Sequence, residues 1–185
     1  MIAVGVGIGV LVLVIVPALY KTYIAQAFKM PSGSMKPTLL VGDYFLTDKR
    51  YAGAKHVERG DILIFEYPKD HSKIFIKRVI GLPGDHIEIK NKKLYINNEV
   101  LKEPYVIHTD NRVFAANQNP RDNLGPIRVP DNSYFMLGDN RDESNDSRFW
   151  GFLHSNEIKG RAGMIYWSWG KNYRVRWNRI GKPIN

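Results

Sequence analysis

The first twenty residues, Met1 to Tyr20, carry no ionisable side chain, and Lys21 is the first charge in the chain. A helix rises 1.5 Å per residue, so residues 2–20 make roughly 30 Å of apolar helix, the thickness of a bilayer's hydrocarbon core. The stretch reads as a transmembrane anchor. A cleavable secretory signal is the competing reading. Such a signal carries a basic leading region and a shorter apolar core; here the basic region is missing and the apolar stretch is long. Gly5 and Gly9 form a G-x-x-x-G step, the spacing of a helix-dimer seam, although glycine is common in such spans. Pro17 is placed to bend the end of the span. No Lys or Arg precedes it, whereas Lys21 and Lys29 follow. A positive-inside count puts the remainder in the cytoplasm. That count governs short loops, and long domains cross largely regardless of charge.

From residue 21 onward little reads as amphipathic helix. Short β-branched and aromatic runs alternate with turn residues, which predicts a mainly β domain. Strands are expected at Asp61–Tyr67, stopped by Pro68, and at Lys73–Ile80, stopped by Gly81 and Pro83. His86–Lys90 and Leu94–Ile96 flank Asn91-Lys92-Lys93 as a hairpin. Ser133–Leu137 is a further strand, and Ala162–Trp169 with Tyr173–Trp177 is expected as a closing hairpin around Gly170-Lys171-Asn172. Between about 98 and 130 the chain is polar and punctuated by Pro104, Pro120, Gly125, Pro126 and Pro130. That segment is the candidate inserted lobe or loop.

The balance of 27 Lys and Arg against 18 Asp and Glu gives a formal charge of +9, with 44% apolar and 24% charged residues, a globular composition. There is no cysteine. Disulfides, thiolate metal sites and a cysteine nucleophile are therefore excluded.

Three stretches offer chemistry. Pro31-Ser-Gly-Ser-Met-Lys-Pro-Thr38 sets two serines around a glycine between prolines. It reads either as a polar turn or as a serine nucleophile on a rigid turn, with a neighbouring N–H and hydroxyl free to stabilise an oxyanion. A serine needs a base to take its proton. None of His56, His71, His86, His108 and His154 sits in a triad, elbow or zinc-protease pattern. Lys77 is the other candidate base. It lies in the apolar run Ile74-Phe-Ile-Lys-Arg-Val-Ile80, sharing one strand face with Phe75 and Val79, while Arg78 shares the other with Ile76 and Ile80. A desolvated lysine loses its charge more readily and can act as a base near neutral pH; a lysine on the solvent face cannot. Leu137 to Gly151 is dense in Asp, Asn, Ser and Arg. It fails the EF-hand spacing and reads as an exposed loop or as a polar network that fixes a site.

Taken together these stretches resemble the bacterial type I signal peptidase (leader peptidase) family. The matching boxes are P-S-G-S-M-x-P-T at 31–38, G-D at 42–43, R-G-D-I-L-I-F at 59–65, K-R-V-I-G-L-P-G-D at 77–85 and G-D-N-R-D-x-S-x-D-S-R-x-W-G at 138–151. They stand in the family's order after an apolar span, and G-R-A at 160–162 with the Trp-rich tail is similar too. The resemblance implies a membrane-bound serine endopeptidase that removes signal peptides from exported preproteins. It implies Ser34 as nucleophile, Lys77 as general base, and Ser32 with the Ser34 N–H as the oxyanion hole. Ser144 would orient the lysine, and Asp146, Arg148 and Arg78 would form a supporting network, which Asp139 could join. Phe28, Met30, Pro31, Met35 and Ile76 would line pockets that select small side chains at the first and third positions before the cut, as in A-x-A. The implied organisation is an anchor over 1–20 and a catalytic β domain over 21–185, with a small non-catalytic lobe at about 86–137. Preproteins and membrane lipid are the implied partners, without nucleic acid, metal or cofactor, and the chain would be a monomer. The implied location is the cytoplasmic membrane, single-pass, with the catalytic domain on the outer face. Trp150, Trp167, Trp169 and Trp177 would either sit in the membrane interface or pack in the core. One visible span and a missing basic leading flank depart from some relatives.

Two rivals stay open at this level. One is a tethered basic β domain that binds nucleic acid or anionic lipid, although the basic residues are scattered. The other is a related Ser–Lys protease, self-cleaving or specialised for pilus or conjugation substrates.

Overall fold

The computed structural model describes residues 25–53 and 56–185. The anchor expected over residues 2–20 lies outside them. Among the described residues no helix is long and apolar enough to cross a membrane.

The described chain is mainly β, in two antiparallel sheets. The larger contains β1 (Ala25–Lys29), β2 (Asp43–Asp48), β3 (Ile62–Tyr67), β4 (Asp70–Gly81), β9 (Ser133–Leu137), β10 (Leu153–His154) and β11 (Ile158–Ser168). Their order across the sheet is β1-β2-β11-β3-β4-β9-β10. The smaller contains β5 (His86–Lys90), β6 (Lys93–Ile96), β7 (Glu99–Val100) and β8 (Leu124–Arg128), in the order β7-β6-β5-β8.

β3 and β4 pair centrally, with Leu63 opposite Lys77 and Ile62 opposite Arg78. On its other side β4 pairs with β9 only from Arg78 onward, Arg78 facing Leu137 and Val79 facing Met136. One face of this region packs Ile62, Ile64 and Ile76 with Phe45, Met30, Met35 and Leu39. The opposite face packs Leu63, Phe65 and Val79 with Met136 and Trp150. Both faces are therefore covered, and Ile76 through Gly81 are all buried. Alternation along the strand predicts one buried cation of the Lys77–Arg78 pair; the structure buries both. The small sheet shares a third core, in which Ile80, Phe135 and Leu137 of the large sheet meet Ile87, Ile89 and Ile96.

The β5–β6 hairpin turns on Asn91 and Lys92, at φ 49° and 67°. Lys92 is an unusual residue for the left-handed region. Its ammonium reaches Asp142 at 3.0 Å and its N–H donates to the Asp122 carbonyl, so contacts remote in sequence hold it there.

Three expectations change. The polar stretch 98–130 contributes β8, which pairs with β5. β1 and β2, not predicted, form one edge of the large sheet. The closing hairpin is cut short: after β11 the chain folds into short 3-10 turns, and the pairing around Gly170 is reduced to a Trp169–Val175 bridge flanked by the Gly170 N–H to Arg174 carbonyl and Arg176 N–H to Ser168 carbonyl bonds, while Pro183 forms a second bridge with Met164. The reason is electrostatic. Arg176 and Arg179 draw the tail onto the fully buried carboxylate of Asp43, with Arg179 Nη2 at 2.5 Å. β11 instead pairs with β2 and β3. Trp150 packs against Phe65 and Tyr67 in the core, as one of the two readings has it, and Trp177 is 72% exposed.

Candidate active site

The Ser34 turn is one end of a closed loop. Met30 N–H donates to the Asp43 carbonyl at 2.8 Å, and Gly42 N–H donates to the Met30 carbonyl at 3.1 Å, pinning the base of the 30–43 loop. Met30, Met35 and Leu39 plug its underside into the core. From the other side, Asn140 N–H donates to the Ser34 carbonyl at 3.0 Å, and Asn140 Nδ2 donates to the Gly33 carbonyl at 3.2 Å. The serine is thus positioned by main-chain contacts on two sides.

Lys77 Nζ lies 3.0 Å from Ser34 Oγ and 3.0 Å from the Ile76 carbonyl. The lysine is 5% exposed, Ser34 is 7% exposed, and among the described residues Lys77 has no ion pair. Its ammonium sits 5.3 Å from the centre of the Phe75 ring. Burial pushes its pKa down to about 8; the charges of Asp146 and Asp139 oppose that shift, and Arg148 adds to it. Deprotonated, Nζ has a lone pair aimed at a hydroxyl within hydrogen-bond reach, the geometry of a nucleophile and its base.

Ser32 Oγ stands 3.2 Å from Ser34 Oγ. The Ser34 N–H has no acceptor among the described residues. These two donors are available to an oxyanion.

Two buried ion pairs stand behind the dyad. Arg78 grips Asp139 with both nitrogens, at 2.9 and 2.8 Å, and lies 3.9 Å from the Tyr105 ring. Arg148 grips Asp146 at 2.8 and 2.8 Å. Burial alone would raise the Asp146 pKa, but the Arg148 charge holds it below the usual carboxylate range. Asp146 also accepts from the Gly138 N–H at 3.1 Å, and Asp139 accepts from the Thr38 hydroxyl. The expected single network is two separate pairs, joined through the backbone of Gly138 and Asp139.

Ser144 is buried beside this loop, and its Oγ makes no hydrogen bond to Lys77. The two lysine contacts present are Ser34 and the Ile76 carbonyl.

A cleft of about 320 Å³ opens over the dyad. Met30, Pro31, Ile74, Phe75 and Ile76 give it apolar walls, and Ser32, Ser34, Lys77, Glu143 and Asn145 complete it. Of the five anticipated pocket residues, Met30, Pro31 and Ile76 line the cleft. Met35 lies wholly in the core under the serine turn, and Phe28 stacks on Phe45 at 6.2 Å. Met35 is turned inward because the loop closes over the core, whereas Phe28 is half-buried on β1, outside that loop. Ile74, Phe75, Glu143, Asn145 and the tethering role of Asn140 were not anticipated. The alternation of β4 could have pointed to Phe75, which shares a face with Lys77. A roomier cleft of about 850 Å³, lined by Lys29, Lys36, Tyr44, Trp169 and Tyr173, contains neither member of the dyad. No group of three or more metal-ligating side chains is assembled among the described residues.

The family model for signal peptidase, peptidase S26, matches residues 3–167. A probable signal peptidase I-2 of Synechocystis sp. is 39% identical over 153 residues, covering 80% of this chain and 65% of its own length. Signal peptidase I P of Bacillus subtilis subsp. natto is 35% identical over 153 residues, covering 82% of each. A signal peptidase I crystal structure from Enterococcus faecalis V583 shares 34% identity, covering 58% of this chain and 97% of its own, with a TM-score of 0.46. The chain thus spans just under two thirds of the Synechocystis relative. A family match over most of its length, together with these identities, means that the chain belongs to the signal peptidase family, peptidase S26.

Proposed function

We propose that this chain is a membrane-bound serine endopeptidase that removes signal peptides from exported preproteins, using Ser34 and Lys77. The observation that carries the reading is a buried lysine, without an ion pair among the described residues, 3.0 Å from a serine hydroxyl under an apolar cleft. Uncharged Lys77 takes the Ser34 proton as Oγ bonds to the scissile carbonyl carbon. Negative charge moves onto the carbonyl oxygen, within reach of the Ser34 N–H and the Ser32 hydroxyl. The lysine returns the proton to the departing amine, the C–N bond breaks, and an acyl-enzyme remains. The same lysine then takes a proton from water, whose oxygen attacks the ester, and Ser34 recovers its hydrogen. The signal peptide leaves as a carboxylate.

Residues 74–76 of β4 border the cleft beyond the point where β9 begins to pair. An extended peptide can add to that open edge, its alternate side chains entering the apolar cleft. A cleft of this size suits small side chains at the first and third positions before the cut. Residues 2–20 would anchor the domain at the outer face of the cytoplasmic membrane, close to a membrane-held preprotein.

The test is cleavage of a purified preprotein in detergent, with the product's N-terminus sequenced. Wild type should cut after an A-x-A-like site and Ser34→Ala should not. Folded wild type that leaves the preprotein intact would overturn the reading.

A further inference from the structure

Glu143 is the one acidic side chain on the wall of the catalytic cleft. Three contacts fix it relative to the nucleophile: its N–H donates to the Asn140 carbonyl at 3.1 Å, its Oε2 accepts from Asn140 Nδ2 at 3.0 Å, and that same amide nitrogen donates to the Gly33 carbonyl at 3.2 Å. Among the described residues Glu143 has no cation partner, and its one side-chain hydrogen bond is to that neutral amide. The nearby cations are engaged elsewhere. Arg112 is bidentate to Asp110, Arg121 pairs with Asp122 and Asp110, and Lys92 pairs with Asp142. Asp142, the preceding residue, is accordingly neutralised, whereas Glu143 is not.

The cleft's only other ionisable wall residue is Lys77. When Lys77 is uncharged, as the proposed mechanism requires, the cleft carries the net negative charge of Glu143. We propose that Glu143 is a specificity residue, which selects substrates with a Lys or Arg side chain near the scissile bond and disfavours acidic ones there. The proposal rests on the endopeptidase reading above. Because Glu143 is exposed, its attraction is that of a solvated ion pair, which corresponds to about a two- to fivefold change in kcat/KM.

The experiment replaces each residue flanking the cut of a preprotein, in turn, by Lys, Gln or Glu, and measures kcat/KM with the full chain in detergent. Wild type should prefer Lys over Glu at one position, by an amount that shrinks with added salt. Glu143→Gln, which keeps an acceptor for Asn140, should erase the preference, and Glu143→Lys should invert it. Ser34-dependent cleavage that ignores charge at every position, or a preference that survives in Glu143→Gln, overturns this proposal alone. Cleavage that persists in Ser34→Ala, or no cleavage by wild type, overturns the endopeptidase reading and this one with it.

Discussion

Lys77 and Arg78 are consecutive on β4, at 5% and 2% exposure, and only Arg78 has a carboxylate partner. The two cations point to opposite faces of one strand. Arg78 meets Asp139 in a bidentate pair. Lys77 meets a hydroxyl and a carbonyl, neither of which stabilises a positive charge as a carboxylate would. One step of strand alternation thus separates a structural cation from the proposed base.

Replacing Lys77 by Met should stabilise the fold at pH 7 while abolishing activity. The lysine pKa falls from 10.5 to about 8 on folding. Below pH 8 the folded chain must hold a buried ammonium, and at about 1.4 kcal/mol per pH unit that costs about 3 kcal/mol. Between pH 8 and 10.5 the folded state releases its proton first, so the penalty fades as pH rises. Above 10.5 it is gone. Thermal unfolding of wild type and Lys77→Met across this range should show a variant advantage that is largest at or below pH 8. An advantage that does not change with pH would mean that Lys77 is not desolvated.

The rate should follow the same group. With Lys77 as base, kcat/KM should rise about tenfold per pH unit in the acidic range and level off above about pH 8. Lys77→Arg should be inactive at every pH, because a guanidinium does not give up its proton. An acidic limb centred near pH 6.5, the histidine range, would instead implicate an imidazole.

Ser32→Ala removes one of the two donors proposed for the oxyanion and leaves the Ser34–Lys77 contact in place. The expected loss is about 100- to 1,000-fold in kcat, with KM little changed. A loss in KM alone would assign Ser32 to substrate binding.

The parts of this arrangement that were legible from the sequence are those in which local pattern and tertiary structure agree. β3 is a closed apolar run between Gly60 and Pro68, and it folds as a central strand. The cationic pair in β4 is visible as an oddity in an apolar stretch, but its double burial depends on two cores contributed by distant strands. β2 carries Asp43 at its first residue, and its polar letters hide an interior position because the compensating arginines lie more than a hundred residues later. The shortened closing hairpin has the same cause. Asn140 could be read as a turn residue, but its grip on Ser34 is a contact between segments over a hundred positions apart, which no spacing encodes. Ser144 illustrates the converse. A motif position names the residue, whereas the lysine's hydrogen bonds go to Ser34 and the Ile76 carbonyl.

Gly138→Ala should inactivate the enzyme without unfolding it. A Cβ at this position would stand 2.2 Å from Ser144 Oγ and 2.5 Å from the Ser34 carbonyl oxygen. The Ser144 hydroxyl can rotate away, but Ser144 Cβ, at 2.6 Å, stays in place, and the Ser34 carbonyl is backbone held by Asn140. The serine turn must therefore move, and with it the Ser34 hydroxyl relative to Lys77. Displacement of about 1 Å costs on the order of 100-fold in rate. Because the Gly138 N–H already donates to Asp146, the glycine cannot retreat without disturbing a buried ion pair. Adding Ser144→Ala removes only the hydroxyl clash, so the double variant should stay impaired. Circular dichroism should show both variants folded, and single-turnover cleavage should show the loss in the chemical step. Recovery of wild-type rate in the double variant would mean that the Ser144 hydroxyl, rather than the Ser34 backbone, sets the limit at Gly138.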